Sequence, residues 1–306
     1  MKANTALKVA IASGKGGTGK TTVAVNLATV LCALGRSVQY LDCDVEEPNG
    51  HIFLKPEIES SEPVGIPVPV VDEAKCTGCR KCADACAYRA IAVLKKPLLF
   101  PELCHGCGGC TLVCPEGAIH ERDRAIGVVK TGFSGSLRFV QGRLKVGEPM
   151  APPLIRAVKK KIDRAIAILD APPGTSCSAV ATVRDADLVL LVTEPTPFGL
   201  NDLRLAVEMN RQLGRRQVVV LNRADSGDDR VQVYCRAEGI PIGLELPEDR
   251  RVAEAYSRGI LAVQVLPEWA TRMRELWGLI QADAGLETGP DERGFHSFCG
   301  SDKGES

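Results

Sequence analysis

Aromatic residues are scarce in this 306-residue chain: Phe, Trp and Tyr make up 4%, against a hydrophobic fraction of 45%. A core of that composition has to be built from Val, Ile, Leu and Ala. An excess of either charge is also missing, since Lys+Arg and Asp+Glu both number 38. Zero net charge excludes a global basic field for collecting nucleic acid, though not a local basic patch. No apolar run reaches the ~20 residues of a membrane-spanning helix. Met1-Lys2-Ala3-Asn4 leads straight into a strand-like segment, without the pattern of a secretory signal. The expected location is the cytoplasm. In that reducing compartment disulfides are disfavoured and clustered cysteines read as metal ligands. Cysteine is abundant: there are 13, and eight of them fall between Cys76 and Cys114.

The N-terminal part alternates strand and helix. Residues 7–12 form a short apolar strand, and a Gly-rich turn leads into an apolar helix over about 21–34, stopped by Gly35; 37–41 reads as a second strand. The rhythm resumes after residue 150, with strand-length apolar runs at 165–169, 188–192 and 218–221 and a helix-like stretch at 203–213. Strands apolar on both faces, alternating with helices, predict an α/β fold with a parallel sheet covered on both sides. Between these halves the character changes. Residues 66–127 carry two copies of one cysteine pattern and little helical periodicity, so they read as an insertion into a domain made of 1–65 and 128–285. The Gly-, Ser- and charge-rich stretch 286–306 reads as a disordered tail.

Gly14-Lys15-Gly16-Gly17-Thr18-Gly19-Lys20-Thr21 matches G-x-x-x-x-G-K-[ST], directly after a strand and at the start of a helix. In that context glycines let backbone N–H groups close around phosphate oxygens, and the helix N-terminus favours negative charge. Lys20 is expected at the β- and γ-phosphates and the Thr21 hydroxyl on Mg²⁺, with Thr22 completing the ATP-binding run. A lysine just after the first loop glycine, Lys15, resembles the deviant Walker A loop of the MinD/ParA, Mrp and nitrogenase iron-protein superfamily (SIMIBI class). The resemblance implies a three-layer P-loop NTPase fold, ATP or ADP as ligand, and Lys15 reaching the nucleotide of a second chain. Asp42-Cys43-Asp44 at the end of the second strand resembles the family's switch I pair, and Asp170-Ala171-Pro172-Pro173-Gly174 its Walker B and switch II element. By that resemblance Asp44 positions the attacking water, while Asp42 and Asp170 hold Mg²⁺ through its water shell; Lys15, Lys20, Asp44 and Asp170 form the catalytic set. Asn222-Arg223 resembles the adenine-reading position, and Pro247-Glu248-Asp249 the second base-contacting loop. The C-terminal residues Thr288-Gly-Pro-Asp-Glu-Arg-Gly294 do not resemble the amphipathic membrane helix of MinD.

The two cysteine patterns are Cys76-x₂-Cys79-x₂-Cys82-x₃-Cys86 and Cys104-x₂-Cys107-x₂-Cys110-x₃-Cys114, the second followed by Pro115 and the first by Ala87. They resemble bacterial two-cluster ferredoxins, an α+β unit in which three closely spaced thiolates grip one 4Fe–4S cube and the fourth crosses to the other. That resemblance implies one cluster on Cys76, Cys79, Cys82 and Cys114 and another on Cys86, Cys104, Cys107 and Cys110. Zinc on paired C-x₂-C motifs is the alternative. His105 reads as a solvated residue or one supporting a ligand. Cys177, seven residues after Asp170, lies where the nitrogenase iron protein has a cluster ligand, or is simply a small residue at a helix start.

Two functions follow. One is an ATPase whose nucleotide-dependent homodimer, or heterodimer with a paralogue, drives electron transfer or metallocofactor assembly with a redox partner. The other is a MinD/ParA-like positioning switch in which the clusters sense redox state or support structure.

Overall fold

The computed structural model describes residues 6–284; the tail expected from residue 286 lies outside the described residues. Within them the main sheet has nine strands. Those from the first half are β1 (Leu7–Ala12), β2 (Val38–Asp42) and β3 (Glu57–Val71), and a small separate hairpin is made by β4 (Ile91–Val93) and β5 (Pro97–Leu99). The rest are β6 (Ile119–Ser134), β7 (Leu137–Leu144), β8 (Ile166–Asp170), β9 (Leu188–Thr193), β10 (Arg216–Asn222) and β11 (Ile242–Leu246). Their spatial order is β11-β10-β9-β1-β8-β2-β7-β6-β3. From β11 to β7 all neighbours are parallel, whereas β6 runs antiparallel to both β7 and β3.

The parallel strands are apolar on both faces because both are covered. Val9 and Ile11 join Leu27, Leu31 and Trp277 in one core, while Ala10 and Ala12 join Leu154, Ile155 and Val207 in the other. This is the three-layer α/β arrangement predicted from the alternating runs. Helix α1 (Lys20–Ala33) follows β1, and Gly35 at φ 71° closes it, letting the Arg36 N–H reach back to the Leu31 carbonyl at 3.1 Å. Helix α2 (Gly50–Leu54) follows β2.

What periodicity does not reveal is a long ribbon. β3 pairs with β6 from Glu57↔Phe133 to Val71↔Ile119, and the cysteine-bearing residues 72–118 sit between these strands at the ribbon's far end. Pro63, Pro67 and Pro69 are tolerated in β3 because it is the outermost strand, with one side free of ladder partners. The boundaries expected at 65/66 and 127/128 cut across β3 and β6 partway along their length. The ribbon and the cysteine segment share a core with the sheet: Ile66, Val68, Ala90 and Cys104 belong to the same buried cluster as Leu154 and Val158. Arg124 on β6 also pairs with Glu148, whose Oε1 accepts the Met150 N–H at 3.1 Å, fixing the ribbon to the start of the helix Ala151–Lys159.

Candidate functional site

The loop between β1 and α1 opens onto a cavity of about 710 Å³ at the carboxyl ends of the parallel strands. Open α/β sheets bind ligands there. Gly16, Gly17, Gly19, Lys20, Thr21 and Thr22 line it from the loop and α1; Asp44 lines it after β2. Asn222 and Arg223 come from the end of β10, Pro247 and Glu248 from the end of β11. Gly19, at φ 96°, is followed by the first helical residue, and the Asn222 amide packs so close that a Cβ on Gly19 would lie 2.6 Å from Nδ2. That amide donates to the Thr18 carbonyl at 2.9 Å, so Asn222 braces the phosphate loop. Gly14, Lys15 and Thr18 do not line the cavity; Gly14 lies against the Asp202 backbone and Thr18 is buried.

The sequence reading missed Glu47, Asn49, Arg250, Val252, Tyr256 and Trp269, which also line the cavity. Tyr256 is on the helix Arg250–Ser257, which Asp249 caps by accepting the Arg251 N–H at 2.8 Å. Its ring meets Phe53 of α2, with centroids 4.6 Å apart. The capping aspartate is a readable helix start, but which side of that helix faces a ligand depends on chain far away in sequence.

The aspartates sort by environment. Asp42 and Asp170 are register partners on β2 and β8, almost fully buried, and burial raises both carboxyl pKa values. Asp170 raises Asp42 further, whereas Lys20 and the Thr21 hydroxyl draw Asp170 back down. Asp42 accepts the Gly50 N–H on Oδ2 at 3.0 Å and the Asp44 N–H on Oδ1 at 3.3 Å, so it holds the turn after β2. Asp44 reaches the cavity. Burial pushes its pKa up to about 6, against the Glu47 N–H and Lys20, which favour the charged form.

Lys15 does not line the cavity; its Nζ is 3.9 Å from Glu194 Oε2, while Arg223 donates to the other Glu194 oxygen at 2.8 Å. At that distance, longer than a hydrogen bond, the buried Glu194 holds the partly exposed lysine weakly.

The eight cysteines of the repeats divide four and four. Cys76, Cys79, Cys82 and Cys114 line one small cavity; Cys86, Cys104, Cys107 and Cys110 line a second. Both halves use one backbone device: Ala90 N–H donates to Cys86 Sγ at 3.2 Å, and Ala118 N–H to Cys114 Sγ at 3.3 Å. Gly106 N–H similarly meets Cys104 Sγ at 3.4 Å. Arg80 holds a left-handed conformation where the second repeat has Gly108. His105 stacks on Tyr88, centroids 3.5 Å apart, beside the second cavity. Among the described residues no three His, Cys, Asp or Glu side chains are grouped as a single metal ion would need. Cys177 is exposed at the start of a helix; Cys43 and Cys235 are buried; Cys299 lies outside the described residues.

A glycine loop between strand and helix, with acids at the ends of neighbouring parallel strands, defines a P-loop nucleotide-binding protein. Residues 9–263 match the CobQ/CobB/MinD/ParA nucleotide binding domain, and the chain belongs to that family. It is 36% identical over 210 residues to an uncharacterized protein of Methanocaldococcus jannaschii, covering 67% of this chain and 74% of that one. It is 27% identical over 271 residues to the iron-sulfur cluster carrier protein of Pyrococcus abyssi, covering 83% and 78%. A 58-residue match, 47% identical, to the indolepyruvate oxidoreductase subunit IorA of Pyrococcus horikoshii covers 18% of this chain and 9% of that subunit. In fold it is similar to the septum site-determining protein MinD of Pyrococcus horikoshii, solved with Mg-ADP, with a TM-score of 0.58 and 20% identity over 92% of this chain and 98% of that one. No helix of the described residues is long and apolar enough to cross a membrane.

Proposed function

We propose that this chain binds and hydrolyses ATP and couples nucleotide-dependent pairing of two chains to electron transfer or to assembly of iron–sulfur or other metallocofactors. The observation that carries the proposal is the four-and-four division of the cysteines, on a ribbon rooted beside the nucleotide cavity. A 4Fe–4S cube takes one thiolate at each of four separated corners, which suits four thiols facing a cavity, and N–H donors to the sulfurs stabilise their charge. Two such clusters would supply one-electron chemistry when bound. The names of the Pyrococcus relatives, a cluster carrier and an oxidoreductase subunit, support the same reading.

In the nucleotide site, the loop amides and Lys20 would bind the phosphates, Thr21 would hold Mg²⁺ with Asp170 acting through its water shell, and Asp44 would orient the attacking water. Tyr256 and Trp269 supply an apolar wall for the base, with Asn222, Arg223, Pro247 and Glu248 around it. Asp44, Glu47 and Asn49 line the cavity, α2 follows them, and β3 begins at Glu57, so chain that senses the γ-phosphate runs directly into the ribbon. The test is a comparison of cluster midpoint potentials and cluster-transfer rates in the ADP and ATP states, using Asp44→Ala to prevent turnover. A difference between states is expected; identical values in both would sink the coupling.

Lys15 is assigned to the partner chain's nucleotide. Two facing phosphate loops bring many negative charges together, which is costly unless compensated. Lys15, loosely held by Glu194, supplies one extra positive charge near each γ-phosphate, where ATP differs from ADP. Lys15→Ala is expected to bind ATP yet remain monomeric by analytical ultracentrifugation, whereas Asp44→Ala dimerises with ATP and not with ADP. A dimer indifferent to nucleotide would remove Lys15 as the switch.

A further inference from the structure

Tyr40 lies on β2, two residues before Asp42, in a strand that is buried throughout. Its ring stacks on Phe139 at a centroid distance of 5.8 Å, and its hydroxyl donates to Asp170 Oδ2 at 2.8 Å. A buried phenol carries a desolvation cost unless its hydroxyl is paired. Phenylalanine would fill the same space without that cost, so the hydroxyl's partner is the distinguishing feature. Room for it is made at Gly50, the first residue of α2, where a Cβ would lie 2.3 Å from the Tyr40 hydroxyl and within 2.7 Å of the ring. The same Gly50 donates its N–H to Asp42. With Asp42 engaged by two amides and Asp170 Oδ2 by Tyr40, the oxygen left over is Asp170 Oδ1, which is buried and has no hydrogen-bond partner.

We propose that Tyr40 is a positioning residue for the Mg²⁺–nucleotide complex: its hydroxyl locks the Asp170 carboxylate so that Oδ1 faces a water of the metal's shell, and Gly50 of α2 keeps the hydroxyl in place. The inference rests on reading the cavity as a Mg²⁺–nucleotide site. Without the hydroxyl, Asp170 is free to turn about its terminal torsion, since its buried Oδ2 then lacks a donor. The lock also joins the two segments that flank the γ-phosphate position, because one hydroxyl touches both the end of β8 and the start of α2.

The test uses the full chain, a fluorescent ADP analogue, and titration with MgCl₂. Tyr40→Phe is expected to raise the Mg²⁺ concentration needed for half of the metal-dependent gain in ADP affinity by roughly ten- to hundred-fold, the range for a hydrogen bond to a charged group. ADP affinity in EDTA should stay within about two-fold of the parent, because the phosphate contacts of the loop and Lys20 are untouched. Gly50→Ala, which must displace the phenol, should show the same metal defect. The double variant should be no worse than the more affected single one, as for two changes acting through one hydroxyl. An unchanged Mg²⁺ requirement in Tyr40→Phe overturns the proposal, as does an equal loss of ADP affinity with and without metal, which would mark Tyr40 as a packing residue only. If the parent protein itself gains no affinity from Mg²⁺, the reading of the cavity fails instead.

Discussion

Asp44→Asn is expected to leave ATP bound and to lower turnover roughly 10²–10⁴-fold, the range for removing a positioned general base. The side chain lies in the cavity within the influence of Lys20, and the Glu47 N–H holds its Oδ1 at 3.5 Å. Because burial pushes its pKa up to about 6, the proposed ATP hydrolysis by the parent protein should fall as pH drops through that value, when the carboxylate takes a proton. The sign for stability is the opposite. A carboxyl whose folded pKa exceeds its unfolded value of about 3.9 binds its proton more tightly in the folded state. Its contribution to apo stability is therefore present below about 4 and is lost as pH rises towards 6. At pH 7.5 the apo Asp44→Asn protein should melt no lower than the parent. Steady-state phosphate release and thermal melts across pH 5–8 measure both. Turnover within a few-fold of the parent would remove Asp44 from the mechanism.

Cys79→Ala and Cys114→Ala, drawn from different repeats, are expected to remove the same cluster. Each should lower iron from about eight to about four atoms per chain after anaerobic reconstitution, and Cys107→Ala should remove the other four. The expectation follows from cavities that mix the repeats, since Cys114 joins Cys76, Cys79 and Cys82, while Cys86 joins Cys104, Cys107 and Cys110. Cys79 and Cys107 are exposed, so their loss should leave the nucleotide site intact, whereas Cys104 is buried in the shared core and its replacement should also lower the melting temperature. Iron assay with low-temperature EPR of the reduced protein reads the result. Stoichiometric zinc, or a spectrum in which Cys79→Ala and Cys114→Ala affect different clusters, would refute the assignment.

Much of this molecule is legible in residue order because its chemistry is local. The phosphate loop and the cysteine repeats each lie in a short segment, whereas Asp42 and Asp170, at the ends of β2 and β8, are brought together by strand pairing. The strands Leu7–Ala12 and Leu188–Thr193 are continuous apolar runs for the reason that both faces are covered. The ribbon escaped detection because β3, with three prolines and mostly exposed side chains before Ile66, has none of the alternation by which a half-buried strand is recognised. Tyr256 and Trp269 were invisible as cavity-lining residues since the loop across the cavity lies more than 200 positions earlier in the chain. Tyr40 reads as one more apolar strand residue until Asp170 is seen beside its hydroxyl. Lys15 shows the converse: the motif suggests its chemistry, while in the fold it does not line the cavity and its Nζ lies near Glu194.

The prolines of β3 bear on how copies of this protein can meet. A sheet recruits another sheet by hydrogen-bonding along an unpaired edge, and natural edges are blunted to prevent it. One edge here is β3, where Pro63, Pro67 and Pro69 lack the N–H that an incoming strand would need; the other is β11, only five residues long. Neither offers a template for end-to-end growth into filaments. On the proposed function, pairing of two chains falls to the loop ends of the strands, where a bound nucleotide would decide whether they join.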